Sequence, residues 1–164
     1  MKLTAKLGLA AALILVTGEA YATTTTGTFG VQLAIQAQCT IVSTQTLDFG
    51  TSGVINANID PAGVTLNVQC THTTPYNIGL DGGANGGDTT TRLMKGGPSN
   101  ETIQYKLFTN AGRTTNWGNT VGTDTVAGTG NGDAQPFSIY GRVPPQTTPT
   151  PGAYSDTVTV TVTY

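Results

Sequence analysis

Two cysteines and one histidine are the side chains of this sequence best suited to nucleophilic or metal chemistry. Cys39 and Cys70 are the only cysteines, and His72 lies two residues after the second of them. A Cys–His pair can generate a reactive thiolate, but a thiol held in a disulfide cannot react in this way. Metal binding needs more ligands than these three side chains supply. We therefore predict no metal and no cofactor, and interpret His72 as a surface loop residue.

Two further groups of residues resemble functional motifs but lack the features that those motifs need. His72, Ser155 and Asp156 are the residue types of a hydrolytic triad, but no nucleophile motif surrounds the serine. The stretch 81–88, which reads Asp-Gly-Gly-Ala-Asn-Gly-Gly-Asp, is similar to calcium-binding repeats. Such repeats act as stacked copies, and one copy is typical of a hairpin loop. The sequence therefore predicts that the protein is not an enzyme.

Three aromatic residues keep one binding function open. Trp117, Tyr105 and Phe108 could form a surface on which a sugar ring stacks. Single aromatic residues between β-turns more often belong to the core of a sandwich or to its edge. A secreted carbohydrate-binding or surface-binding module, complete in itself, is the alternative that these residues support.

Composition indicates the fold class that would position all of these side chains. Only 10% of the 164 residues are charged, the net charge is −2, and glycine occurs 22 times. Low charge excludes a basic nucleic-acid binder and disorder driven by charge. No long segment is rich in strong helix formers, so an all-β protein is predicted.

The first 22 residues have the pattern of a secretory signal peptide. Lys2 and Lys6 precede an apolar segment, residues 7–16, and Ala20-Tyr21-Ala22 is an A-x-A cleavage site. No later segment is long and apolar enough to cross a bilayer, so we predict an exported protein without membrane insertion. In an oxidising compartment Cys39 and Cys70 should form a disulfide, worth roughly 3 to 5 kcal/mol. Two buried free thiols are the alternative.

Short apolar runs separated by Gly, Asn, Asp and Pro predict a β-sandwich made of one domain. A proline-rich connector, residues 144–151, precedes the last run. The predicted strands are residues 29–37, 39–43, 64–70, 76–80, 103–109, 137–143 and 154–164.

The two terminal runs alternate more regularly than the others. The last places apolar side chains on one face and threonines on the other; the apolar ones are Val158, Val160, Val162 and Tyr164. The first mature run places Phe29, Val31, Leu33 and Ile35 on one face, and its other face carries Thr28, Gly30, Gln32, Ala34 and Gln36. It is either an ordinary first strand or a strand that enters a groove on another molecule, where main-chain pairing supplies affinity.

The order of short motifs along almost the whole mature chain resembles the spore coat protein U family, which includes pilins of archaic, Csu-type chaperone–usher pili. The motifs are Cys39-Thr40-Ile41, Leu47-Asp48-Phe49-Gly50, Val68-Gln69-Cys70-Thr71, Ile78-Gly79-Leu80-Asp81-Gly82-Gly83, Arg92-Leu93-Met94, Ile103-Gln104-Tyr105, Trp117-Gly118, Tyr140-Gly141-Arg142-Val143 and the run from Gly152 to Tyr164. The cysteine pair matches that of the family.

This resemblance implies an incomplete immunoglobulin-like sandwich that lacks one strand and is completed by donor-strand exchange. It divides the chain into a signal peptide (1–22), a donor-strand extension (23–38) and a pilin domain (39–164). The donor strand would be residues 26–37, inserting Phe29, Val31, Leu33 and Ile35. The C-terminal strand, with Val158, Val160, Val162 and Tyr164, would border the acceptor groove.

The implied function is that of a structural subunit of an extracellular pilus that supports adhesion and biofilm formation. The implied partners are a periplasmic chaperone, an outer-membrane usher and neighbouring subunits in a head-to-tail polymer. Besides the self-complete binding module, a component of a spore or surface coat is an alternative.

Overall fold

The computed structural model describes residues 19–164, so residues 1–18 of the predicted signal peptide lie outside the described residues. The chain divides into two units, one ending at Ala34 and the other comprising Ile35–Tyr164. No strand is present between residues 19 and 38. The predicted strand 29–37 is therefore absent from the isolated chain, because an extended segment becomes a strand only when its backbone is paired.

All regular secondary structure in the described part of the second unit is β-strand. The strands are β1 (Cys39–Ser43), β2 (Val64–Cys70), β3 (Pro75–Leu80), β4 (Arg92–Gly96), β5 (Glu101–Phe108), β6 (Val126–Thr129), β7 (Ala134–Arg142), β8 (Tyr154–Ser155) and β9 (Val160–Thr163). No helix that could span a membrane occurs among the described residues.

Two antiparallel sheets enclose the core. The larger has the strand order β1-β2-β7-β5-β4-β8 and the smaller has the order β6-β3-β9. Inward side chains of both sheets are fully buried, as Leu66 and Val68 show for the larger sheet and Ile78 and Leu80 for the smaller. The prediction of an all-β, immunoglobulin-like sandwich is confirmed.

The C-terminal run differs from its prediction as a single strand. Residues 154 and 155 form β8 and pair with β4 in the larger sheet, whereas Val160–Thr163 form β9 and pair with β3 in the smaller sheet. The strands β4 and β6 were not predicted, because Arg92–Gly96 does not alternate cleanly and Val126–Thr129 contains a glycine. Both form because longer neighbours supply the hydrogen bonds.

The cysteines lie opposite each other on β1 and β2. Cys39 pairs with Cys70 in the register of the two strands, and their sulfurs are bonded at 2.00 Å. The bridge fixes β1, an edge strand that pairs with β2 alone among the described residues.

Replacing both cysteines by serine is expected to lower the free energy of unfolding by about 3 to 4 kcal/mol. The bridge spans 31 residues, and a closed loop of that size removes entropy of this magnitude from the unfolded chain. Urea unfolding of the oxidised wild type, the reduced wild type and the double variant checks this. Equal stability of the oxidised protein and the double variant would contradict it.

Candidate strand-acceptor cleft

An open apolar cleft of about 1200 Å³ lies between the two sheets. Residues 44–55 form one rim and residues 148–158 form the other. Apolar side chains from both sheets form the floor; they are Ile59, Val64, Leu80, Met94, Ile103, Leu107, Ile139, Val143 and Val160, together with the ring of Tyr105. The core of the sandwich therefore borders the cleft along one side.

The first rim contains no strand after Ser43 and is attached mainly by side chains. Leu47 and Phe49 are half-buried and point to the interior, where a side chain on Gly141 would collide with them. The ring of Phe49 packs edge-on against Tyr105, with the ring centres 6.0 Å apart. The side-chain oxygen of Gln45 accepts a hydrogen bond from the Thr65 amide at 2.7 Å. The Gly50 amide is bonded to Asp48, and both backbone groups of Ile55 are bonded to residues 146 and 148. Between Thr44 and Phe49 no backbone group has a hydrogen-bond partner among the described residues.

The second rim leads into β9, which forms an open sheet edge. Within the described residues β9 pairs only with β3, and burial alternates regularly from residue 154 to residue 163, with the even positions turned inward. The side chains of Val158 and Val160 line the cleft, and Val162 packs against the core. Because alternate residues of a strand direct their backbone groups to opposite sides, the even positions determine what a new strand could bond.

The backbone of Val160 is directed away from β3. Its register partner Leu80 has both backbone groups engaged elsewhere, since its amide donates to the Gly118 carbonyl at 2.9 Å and its carbonyl accepts from Arg92. Thr161 and Thr163, the odd positions, lie opposite Gly79 and Asn77. The amides and carbonyls of Val158, Val160 and Val162 are thus on the unpaired side, and we call these three residues the acceptor edge.

One polar pair is part of the floor and rim. The Tyr105 hydroxyl donates a hydrogen bond to Asp156 Oδ2 at 2.6 Å. Burial and this carboxylate raise the pKa of Tyr105, so the ring keeps its proton and its position. The pair fixes Asp156 at the mouth of the cleft without introducing reactive chemistry.

The residues singled out for chemistry do not form a reactive site. His72 is exposed in the turn after β2, and the described residues contain no group of three or more potential metal ligands. Trp117, Tyr105 and Phe108 are buried, with Trp117 only 1% exposed, and the Trp117 indole donates to the Ile78 carbonyl. These rings belong to the core, so the suggested sugar-stacking surface is wrong.

The predicted donor residues are exposed in the single chain. The exposed fractions are 87% for Phe29, 82% for Val31, 85% for Leu33 and 74% for Ile35. Tyr164, predicted to lie at the groove edge, does not line the cleft and is 59% exposed.

Fold and cleft together define a class: an immunoglobulin-like sandwich with an unfilled strand position along β9. Comparison with known proteins adds the family. The Spore Coat Protein U domain matches residues 25–161, and the chain belongs to this family.

One relative and one solved structure extend the comparison. Protein U of Myxococcus xanthus is 33% identical over 168 residues, which covers 94% of this chain and 93% of that protein. The solved structure is the CsuC–CsuE chaperone–tip adhesion subunit pre-assembly complex from archaic chaperone–usher pili of Acinetobacter baumannii, with a TM-score of 0.53 and 23% identity. The match covers 79% of this chain and 40% of that one, and at this identity it supports the fold alone.

Proposed function

We propose that the protein is a structural subunit of an extracellular pilus that polymerises by strand donation, in which residues 26–37 of one copy fill the cleft of the next. The observation that carries the proposal is complementarity within one chain. An apolar cleft with an unpaired strand edge accompanies an extension with alternate apolar side chains, each at least 74% exposed. A strand added to a sheet edge uses main-chain pairing for affinity and side-chain pockets for selectivity.

The energy available to such an exchange is large. Burying Phe29, Val31, Leu33 and Ile35 contributes about 6 to 12 kcal/mol before entropy costs. A donor at one end and an acceptor at the other make a head-to-tail contact that does not close, so it propagates into a fibre. No catalytic group is needed for this function.

The same open cleft explains the partners that we propose. An unpaired apolar edge promotes aggregation, so a subunit exported to the periplasm needs a chaperone to cover the cleft before assembly at an outer-membrane usher. The resulting polymer would be displayed on the cell surface, where adhesion and biofilm formation are the roles that we infer. A spore or surface coat component is the second candidate, favoured by the family to which the chain belongs.

The purified mature chain is expected to form multimers that survive SDS without boiling and shorten when a synthetic peptide of residues 23–38 is added in excess. The peptide fills clefts but carries no cleft of its own, and therefore terminates chains. A peptide of the same composition with the alternation scrambled is the matched control. A stable monomer, or multimers insensitive to the peptide, would overturn strand donation and favour a self-complete module.

A further inference from the structure

The glycine-rich and aspartate-rich stretch, residues 81–88, does more than connect β3 to β4. Beyond Leu80, where β3 ends, no strand of the described chain pairs with residues 156–159, the segment between β8 and β9. Residues 156–159 nevertheless continue the inward and outward alternation of β9 and line the cleft at Asp156, Thr157 and Val158. Something other than a strand must hold them extended.

Hydrogen bonds from residues 81–85 take the place of a strand. The Asp81 amide donates to the Thr159 carbonyl at 3.1 Å, and Asp81 Oδ1 accepts from the Thr159 amide at 2.9 Å. The Ala84 amide donates to the Thr157 carbonyl at 3.0 Å. One carboxylate oxygen thus replaces the carbonyl that a longer β3 would have presented.

A second set of contacts fixes the start of the same segment. The Asn85 side-chain amide lies 2.9 Å from the Ser155 carbonyl and 2.9 Å from Asp156 Oδ1. Gly83 has a φ of +83°, and a Cβ on it would collide with the Asp156 carboxylate. The loop therefore packs too closely on the rim to tolerate a side chain at this position.

These contacts satisfy one side of the segment only. They engage the backbone of Thr157 and Thr159, the odd positions, and leave the amide and carbonyl of Val158 without a partner among the described residues. Val158 consequently continues the acceptor edge beyond the end of β3.

We propose that residues 81–85 are a positioning element that extends the acceptor edge to Val158, so that a strand from a second copy can pair with Val158 as well as with Val160 and Val162. The inference rests on the proposed function. Asp81 acts through Thr159 rather than by touching the incoming strand. Without the loop, ordering of residues 156–159 would have to accompany binding, at an entropic cost for each residue.

The test measures binding of the peptide of residues 23–38 to the full mature chain in a Leu33→Lys background, which disables the acceptor's own extension. Asp81→Ala is expected to weaken binding about tenfold, which corresponds to the entropic cost of ordering the backbone of roughly one residue on binding. Asp88→Ala is the matched control, because among the described residues the Asp88 carboxylate accepts hydrogen bonds from Thr90 and Thr91 alone and from no residue of the rim. It should change the affinity less than about twofold.

Amide exchange separates positioning from a general loss of stability. In the Leu33→Lys protein the Thr159 amide should be protected without peptide, whereas Val158 becomes protected only when peptide is added. In the Asp81→Ala variant the peptide should still protect Val160 and Val162 but not Val158. Free exchange at Thr159 without peptide overturns the inference even if the variant fails to fold.

The remaining outcomes distinguish the two proposals. If the peptide does not bind the Leu33→Lys protein at all, the proposed function fails and the inference fails with it. If the peptide binds Asp81→Ala as tightly as its parent and protects Val158 in both, strand acceptance stands and the positioning role is wrong.

Discussion

A chain in which Leu33 and Ile35 are both replaced by lysine is expected to form no fibres while its sandwich remains folded. Each substitution removes about 1.5 to 3 kcal/mol of apolar burial from the donated strand. Each also places an unpaired ammonium group in an apolar cleft, which costs several kcal/mol more. The combined loss is comparable to the whole burial free energy of the four inserting side chains. We therefore expect no polymer by electron microscopy or on unboiled SDS gels.

The opposite face of the same segment supplies the control. Gln32 and Ala34 alternate with the inserting residues, so lysines there would point away from the cleft. A Gln32→Lys, Ala34→Lys chain carries the same added charge and should polymerise nearly as the wild type does. Normal fibre yield from the Leu33→Lys, Ile35→Lys chain, or equal losses in both variants, would rule out residues 26–37 as the donor strand.

Mixing experiments test the direction of the contact. The Leu33→Lys, Ile35→Lys chain has an intact cleft, so it should still accept the extension of a wild-type subunit and stop growth at that point. Deleting residues 23–37 should have the same effect. Wild-type fibres should therefore shorten as either variant is added, whereas the Gln32→Lys, Ala34→Lys chain should be incorporated without shortening them.

Short apolar runs separated by Gly, Asn, Asp and Pro are sufficient to predict most of the sandwich. Five of the predicted runs correspond to β1, β2, β3, β5 and β7, because their apolar residues recur at the period of a strand and face a core. The two rims of the cleft could not be predicted in this way. Residues 44–55 pair with no strand in the part of the chain that the structure describes. Residues 156–159, between β8 and β9, are held by Asp81 and Ala84, which are more than seventy positions away in the sequence.

The candidate site was predictable in part for the same reason. Alternation and resemblance predict that Val158 and Val160 border an acceptor groove; both side chains line the cleft, and their role in accepting a strand stays a prediction. The roles of Asp81 and Asn85 in holding the rim were missed, since a Gly/Asp stretch predicts a turn whatever the turn contacts. Long-range hydrogen bonds leave no periodic signal in a sequence.

Arg92 is the clearest case of a residue whose importance only the structure reveals. It is fully buried in β4, and its guanidinium donates to four backbone carbonyls; these belong to Leu80, Asp81, Thr89 and Trp117. Burial lowers the pKa of Arg92, but nearby carboxylates and the directed carbonyl dipoles keep the charged form in place. The side chain thus joins the end of β3, the Gly/Asp loop and the Trp117 segment in one contact.

Replacing Arg92 by methionine is expected to lower the free energy of unfolding by on the order of 4 kcal/mol or more. The methionine fills much of the volume but leaves four carbonyls without donors, and each buried unsatisfied acceptor costs about 1 to 3 kcal/mol unless water reaches it. Arg92→Lys should recover only a minority of the loss, because one ammonium group cannot reproduce the planar fork of donors. Urea unfolding at neutral pH measures both.

Arg142 provides the matched control. It forms a bidentate pair with Asp60 at 2.7 and 2.8 Å near the surface, so Arg142→Met should cost less than about 1 kcal/mol. Equal losses at Arg92 and Arg142 would mean that the buried carbonyls find other donors.

Because Arg92 holds the Gly/Asp loop, residues 81–88, beside the acceptor edge, Arg92→Met subunits that still fold should accept strands poorly. Their own extensions should donate normally, and a mixed assembly measures this asymmetry.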